Sequence, residues 1–186
     1  MAARPPRRSP AAEGGPGLVD GRYRVETTIG RGGMGAVYRG THRDTDVPVA
    51  IKVIRHRATP SIRHRFHEEV RAHAGLIHPG IVYLFEYGDI DADAAAGADP
   101  LREGSPYVAM ELADRGTIRD AIPLTNWESV CRLLVQILDA LSHAHARGVI
   151  HRDLKPENFL VFDEAGADRV KLADFGIAHA FDRERK

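Results

Sequence analysis

The sequence predicts an α+β chain with its element types segregated: strand patterns crowd Tyr23 to Leu112 around a single helix, and a long amphipathic helix leads the remainder. Three observations carry that prediction. Short runs of β-branched and aromatic residues recur between joins rich in glycine and aspartate. One stretch beginning at Trp127 repeats its apolar residues with the period of an α-helix. Between the strand runs, Thr59-Pro60 opens a second helical pattern, a capping hydroxyl followed by proline at the first helical position.

Taken in order, Met1 to Gly17 is built from Pro, Gly, Ala and Arg with almost nothing to bury, and a disordered tail is expected over residues 1–20. Tyr23 to Ile29 alternates as a half-buried strand does. Glycines between Gly30 and Gly35 interrupt it and Ala36-Val37-Tyr38-Arg39 resumes it, which reads as a hairpin bent over something. Val47 to Ile54 is a third strand, with Pro48 near its start where a missing donor is tolerated. The Thr59-capped helix should run from Pro60 to Ala74. Ile81 to Tyr87 and Tyr107 to Leu112 are two more strands, and the stretch from Asp89 to Pro106 between them, rich in Asp, Ala and Gly, is expected to be a long flexible loop. Its Asp89-x-Asp91-x-Asp93 spacing begins like a calcium loop. Ala94 stands where the turn glycine belongs, however, and Pro100 where the closing glutamate belongs, so a solvated loop is the better reading. Thr125-x-x-Glu128 reads as a capping box for the long helix, whose apolar residues Trp127, Val130, Leu134, Ile137, Leu138 and Leu141 follow a helical period until Gly148 ends it. Phe159 to Phe162 and Val170 to Leu172 complete the order as short strands.

With 186 residues, 43% of them hydrophobic, the chain can bury a real core as one domain or two small lobes. Lys plus Arg and Asp plus Glu both number 26, so no net field favours nucleic acid or an anionic membrane, and phosphate binding must be local. Cys131 is the single cysteine, which excludes an intrachain disulfide and points to a reducing, cytoplasmic setting. No apolar run approaches the roughly 18 residues of a membrane span. Pro, Gly and Glu, not a hydrophobic signal core, follow the Arg7-Arg8 pair, so neither export nor a span is expected. Zinc is an equally poor fit: His64-x-x-His67 and His143-x-His145 lack a thiol or a nearby third ligand.

Four groups of residues can carry chemistry. Gly30-x-Gly32-x-x-Gly35-x-Val37 lets backbone amides approach phosphate oxygens with no Cβ in the way. Alone the pattern is weak, but strands on both sides argue against a dinucleotide-binding turn, which needs a helix next. Val49-Ala50-Ile51-Lys52 places a lysine inside an otherwise apolar strand, where a solvated face would be the ordinary explanation. On the helix that follows, about 100° per residue puts Glu69 on the face of Ile62 and Phe66 and turns Glu68 away, so Glu69 is the inward carboxylate. The strongest signal is the run His151-Arg152-Asp153-Leu154-Lys155-Pro156-Glu157-Asn158, followed shortly by Asp174-Phe175-Gly176.

Together these motifs resemble the domain of Hanks-type serine/threonine protein kinases, and the Gly30-Arg31-Gly32-Gly33-Met34-Gly35 segment is similar to the bacterial style; the resemblance covers Tyr23 to about Phe181. It implies a protein-kinase-like two-lobe fold. Residues 21–113 would form an N-lobe of antiparallel sheet plus one helix, with a flexible insertion at 89–106, and residues 114–186 a partial helical C-lobe. The implied reaction is magnesium-dependent transfer of the γ-phosphoryl group of ATP to a serine or threonine of a protein substrate. By position, Gly30, Gly32 and Gly35 would cover the phosphates, and Lys52, paired with Glu69, would hold the α- and β-phosphates. Ile29, Val37 and Ala50 would line the adenine pocket with Leu160 beneath the base, Met110 would be the gatekeeper, and backbone groups of Glu111 and Ala113 would hold the adenine. Asp153 would accept the proton of the substrate hydroxyl, Lys155 would neutralise the transferring group, and Asn158 and Asp174 would offer oxygens to Mg2+. His151 would be structural, and Arg152 matches the arginine that reads a phosphorylated activation segment.

After Gly176 only Ile177 to Lys186 remain, with no counterpart of the family's full activation segment, its Ala-Pro-Glu motif or its later C-lobe helices. The C-lobe is therefore expected to be incomplete, leaving an apolar flank on the Trp127–Arg147 helix for a partner to cover. Rival readings are an ATP-binding regulatory module without turnover and a gene fragment.

Overall fold

The computed structural model describes residues 18–32, 35–54, 59–97, 101–122 and 126–175. Six strands form one antiparallel sheet: β1 (Leu18–Val19), β2 (Tyr23–Arg31), β3 (Gly35–His42), β4 (Pro48–Ile54), β5 (Leu84–Asp89) and β6 (Pro106–Glu111). Their order across the sheet is β1-β2-β3-β4-β6-β5, so β4 is central, and the pairs Val37↔Lys52 and Lys52↔Val108 put Lys52 at its middle. Alternation along β4 then sends Val49, Ile51 and Val53 to one face and Ala50 and Ile54 to the other. Both faces are covered, which is why the strand reads as an apolar run from Val49 to Ile54 interrupted by Lys52 alone.

Helix α1 (Pro60–Ala74) covers the second face. Thr59 caps it, its Oγ1 accepting from Ile62 N–H at 3.3 Å, and Ile62, Phe66, Val70 and His73 form its buried stripe. The opposite face is covered by segments that the composition suggested would be loose. Val19 of β1, Ala94 of helix α2 (Ala92–Gly97), Ile90 and Leu101 are all buried against Tyr23, Tyr38, Ile51 and Tyr107. Two expectations are corrected here. Leu18 and Val19, inside the expected 1–20 disordered tail, pair with β2, and the 89–106 insertion is not a bare loop, since it contains α2. The reason is the alternating apolar set on that face, which needs a cover from scattered residues a composition reading averages away. Residues 1–17 and 98–100 lie outside the described residues.

After β6 the chain crosses to a second unit made of α3 (Ile118–Ala121), α4 (Trp127–His145) and the antiparallel hairpin β7 (Phe159–Glu164) and β8 (Ala167–Leu172). Its core joins Leu133, Ile137, Ala140 and Ala144 of α4 to Val161, Val170, Leu172 and Phe175. Thus the packed stripe runs one residue off the predicted one at Leu133, while Trp127, Leu134, Val135 and Leu138 are exposed. Asn126 caps α4, its Oδ1 accepting from Ser129 N–H at 2.8 Å; Thr125, the predicted cap, lies outside the described residues. Strand β5 also starts later than expected. Ile81 and Val82 leave the first sheet to bind the second unit, Val82 N–H donating to Leu172 O at 2.9 Å and Leu172 N–H to Gly80 O at 2.8 Å. Among the described residues no helix is long and apolar enough to cross a membrane.

Candidate active site

The hairpin tip between β2 and β3 is closed by reciprocal bonds, Gly32 N–H to Gly35 O at 2.9 Å and Gly35 N–H to Gly32 O at 3.3 Å. The three motif glycines have different physical grounds. A Cβ on Gly35 would sit 2.1 Å from the Val53 carbonyl oxygen of β4, so packing alone forbids a side chain there. Gly30 would meet only Val37 at 3.8 Å, and Gly32 would meet nothing within 4 Å. Their lack of a side chain is not required by the protein's own packing. Gly33 and Met34 lie outside the described residues.

Val37, Ala50, Met110, Ala113 and Leu160 pack into one apolar cluster, whereas Ile29 of β2 is half exposed. Glu111 ends β6 and its N–H donates to Tyr83 O at 3.1 Å. The strand that follows the crossing, β7, is tied to the crossing itself: Arg115 N–H donates to Val161 O at 3.1 Å and Val161 N–H to Gly116 O at 2.9 Å. Leu160, next to Val161 on the same strand, packs in this cluster.

Lys52 reaches out of β4 to Asp174, Nζ lying 2.5 Å from Oδ2, with the two side chains 13% and 22% exposed. Burial pushes the Asp174 carboxyl up, but the Lys52 ammonium outweighs it, helped by His73 and His151, and the net direction is down. Asp174 is therefore ionised. The expected Lys52–Glu69 ion pair is replaced. Glu69 does face inward relative to Glu68, which is exposed beside His64, but its Oε1 accepts from Arg152 Nη1 at 2.9 Å. Both carboxylates compete for cations at this seam between the two units, and Asp174, the more desolvated, takes the lysine.

Within the His151–Asn158 run, polar residues converge around Asp153. Lys155 Nζ donates to Asp153 Oδ2 at 2.6 Å, and Asn158 Nδ2 donates to Asp153 O at 2.7 Å and to Oδ2 at 3.2 Å. The bond to Asp153 raises the Lys155 pKa, so its ammonium is fully charged. His151 is buried, donating from Nε2 to Ala173 O at 2.8 Å while Nδ1 accepts from Asp153 N–H at 3.4 Å. Both ring nitrogens are thus engaged by backbone, and burial pushes its pKa down. The ring is a strut that ties the Asp153 backbone to Ala173, next to Asp174. Arg152 and Asp174 both hold φ at +62°, a conformation seldom adopted by residues with a side chain.

Phe175 is buried between His151, with ring centroids 4.5 Å apart, and His73 of α1, at 5.0 Å. His73 was not singled out in the sequence, although it lies four residues beyond Glu69 on the inward face of α1. Its Nε2–H donates to Val82 O at 3.1 Å and burial pushes its pKa down to about 4. Lys171 of β8 was also missed: it grips the Glu111 carboxylate at 2.9 Å across 60 residues of sequence. Strand alternation gave no signal for that contact. Gly176, the last residue of the Asp-Phe-Gly motif, lies outside the described residues.

The chain is similar to known proteins in sequence and in fold. The protein kinase domain family matches residues 23–186. Serine/threonine-protein kinase Pkn1 of Myxococcus xanthus is 41% identical over 95% of the chain, and serine/threonine-protein kinase PknJ of Mycobacterium tuberculosis is 38% identical over 88%. The chain spans 25% and 27% of those two proteins' own lengths. Among solved structures, the PknI kinase domain of Mycobacterium tuberculosis aligns with TM-score 0.68 and 29% identity over 90% of this chain and 64% of that one. With the glycine hairpin, the strand lysine, the catalytic loop and the Asp174 segment in one fold of this kind, the chain belongs to the protein kinase family, among relatives named as bacterial serine/threonine kinases.

Proposed function

We propose that the chain binds ATP in the cleft between its two units and transfers the γ-phosphoryl group to serine or threonine hydroxyls of a protein substrate. The observation that carries this reading is that Asp153, bonded to Lys155 and Asn158, is linked through His151 to Ala173 beside Asp174, whose carboxylate pairs with Lys52 of the first unit. Asp153 is placed to orient a substrate hydroxyl and take its proton, and Lys155, bonded to the same carboxylate, supplies a fixed positive charge beside it. The apolar cluster of Val37, Ala50, Met110 and Leu160 suits an adenine ring, with the Glu111 carbonyl and the Ala113 N–H as its polar partners. Gly30 and Gly32, free of any packing demand, suit close approach of phosphate oxygens.

The donor set also fits Mg2+. Asp174 is ionised, and Asn158 has its amide nitrogen engaged with Asp153, so its amide oxygen is the atom a hard cation would take. When bound there with the nucleotide, the ion would neutralise phosphate charge. Lys52 must then release Asp174 and turn to the phosphates, and Glu69 is the inward carboxylate able to steady it once Arg152 lets go. We place the domain in the cytoplasm, where ATP is available and the free thiol of Cys131 is stable. The exposed Trp127, Leu134, Val135 and Leu138 side of α4 suits a covering surface, from further chain or a partner.

The test is transfer of radiolabelled γ-phosphate from Mg-ATP by the purified chain to itself and to a generic protein substrate, beside Asp153→Ala. Transfer that the substitution abolishes supports the reading. A folded chain that binds ATP without transferring phosphate to either acceptor refutes it in favour of a regulatory module.

A further inference from the structure

The crossing between the two units carries an ion pair that the reaction chemistry does not call for. Lys171 Nζ lies 2.9 Å from Glu111 Oε2, and the two side chains are 13% and 21% exposed. Among the described ion pairs, only this one and Lys52–Asp174 have both side chains less than a quarter exposed. An ion pair this far from solvent needs its remaining valences met, and they are. Glu111 Oε1 accepts from Tyr83 N–H at 2.7 Å, while the Lys171 ammonium also lies over the Phe162 ring, 4.4 Å from its centroid, with Glu164 at 3.8 Å. Tyr83 leads into β5 of the first unit and Lys171 belongs to β8 of the second. One carboxylate thus bridges the two units at the residue whose carbonyl would face the adenine. Phe162, beneath the ammonium, packs in the same cluster as Ala50, Met110 and Leu160.

We propose that Lys171 is a positioning residue for nucleotide: by clamping the Glu111 carboxylate against β8 it fixes the orientation of the Glu111–Ala113 backbone that takes the adenine. This rests on the nucleotide site proposed above. The clamp acts before any phosphate chemistry, so its loss appears in nucleotide affinity and not in the proton-accepting step at Asp153. Its energetic identity is a coupling: either partner alone accomplishes nothing without the other.

Calorimetric titration of the full chain with Mg-ADP, which cannot be turned over, tests it on the parent, Lys171→Met, Glu111→Gln, the double variant and Lys171→Arg. The dissociation constant should rise roughly three- to tenfold in each single variant, rise no further in the double variant, and return toward the parent value in Lys171→Arg. Parent-like affinity in Lys171→Met and Glu111→Gln, or losses that multiply in the double variant, overturns the clamp. If Lys171→Met does not fold, Glu111→Gln, whose amide oxygen still accepts from Tyr83 N–H, decides alone between parent-like and weakened affinity. Absence of Mg-ADP binding in the parent overturns the nucleotide site itself and the clamp with it, which separates the two failures.

Discussion

Replacing His73 by methionine should erase a pH dependence of stability that the site carries in its core. His73 is buried, and burial pushes its pKa from 6.5 to about 4, opposed only by Asp174 and the Val82 carbonyl. The unfolded chain takes up a proton on this ring below its ordinary pKa, whereas the folded chain refuses it until about pH 4. The stabilisation is therefore complete above the unfolded value and is lost as pH falls through the interval between the two. Treating the ring as one titrating site with those two values gives a loss of about 2 kcal/mol between roughly pH 7.5 and roughly pH 5. Urea unfolding at those two pH values measures it, the quantity of interest being the difference between parent and His73→Met. Methionine leaves the Val82 carbonyl without its donor, a cost that is the same at both pH values and cancels. The depressed pKa of His151 contributes in the same direction but is present in both proteins, and that of Asp174 acts only at more acid pH. A parent-minus-variant difference that does not change with pH would show that the ring is not held neutral and that its contact with Phe175 is not what protects it.

The remaining predictions concern the seam and the hairpin. Lys52→Met leaves the desolvated Asp174 carboxylate without its ammonium and should destabilise the nucleotide-free chain by about 1–3 kcal/mol, read as a fall in melting temperature of roughly 3–10 °C that adding Asp174→Asn restores in part. Gly35→Ala should cost about 2 kcal/mol or more, because its Cβ meets the Val53 carbonyl, whereas Gly32→Ala should leave the melting temperature in place and weaken Mg-ATP binding. Arg152→Ala should free Glu69 and increase nucleotide affinity; unchanged affinity in Mg-ATP titrations would mean that the Arg152–Glu69 contact does not compete with the Lys52–Glu69 one.

What the sequence made legible follows how local each determinant is. Strands β2, β3, β4 and β6 and helix α1 were readable because alternation, a Thr-Pro opening and a helical period are encoded within a few residues. Asp153, Lys155, Asn158 and Asp174 could be singled out because their types and spacings are specific, and the structure bonds the first three together and pairs the fourth with Lys52. The order in α2 and β1 was not, since it depends on Val19, Ile90, Ala94 and Leu101 converging on a sheet face assembled from distant strands. The α4 stripe was displaced for a related reason: Trp127, Leu134 and Leu138 are apolar, but β8 packs on the neighbouring face, where two of the four buried residues are alanines. Helical geometry did select the inward carboxylate of α1, yet it could not say which cation that carboxylate meets. That choice is made by the distance between the two units, to which no local pattern refers.

The four charges at the seam admit two pairings, and their desolvation explains the one present in the structure. Asp174 is the costlier carboxylate to leave alone, because burial already presses its pKa upward, so it takes the flexible Lys52, while Glu69 takes Arg152, whose guanidinium stays partly in solvent. A competing positive charge delivered to Asp174 removes the reason for that choice. Lys52 is then the unpaired buried group, and Glu69 on α1 is the inward carboxylate available to it. The arrangement thus links the state of Asp174 to the position of α1 through the exchange of two ion pairs, with His73 and Phe175 packed between the same two elements as the mechanical connection. Under the function proposed above, binding of nucleotide with Mg2+ would move Lys52 from Asp174 to Glu69 and release Arg152.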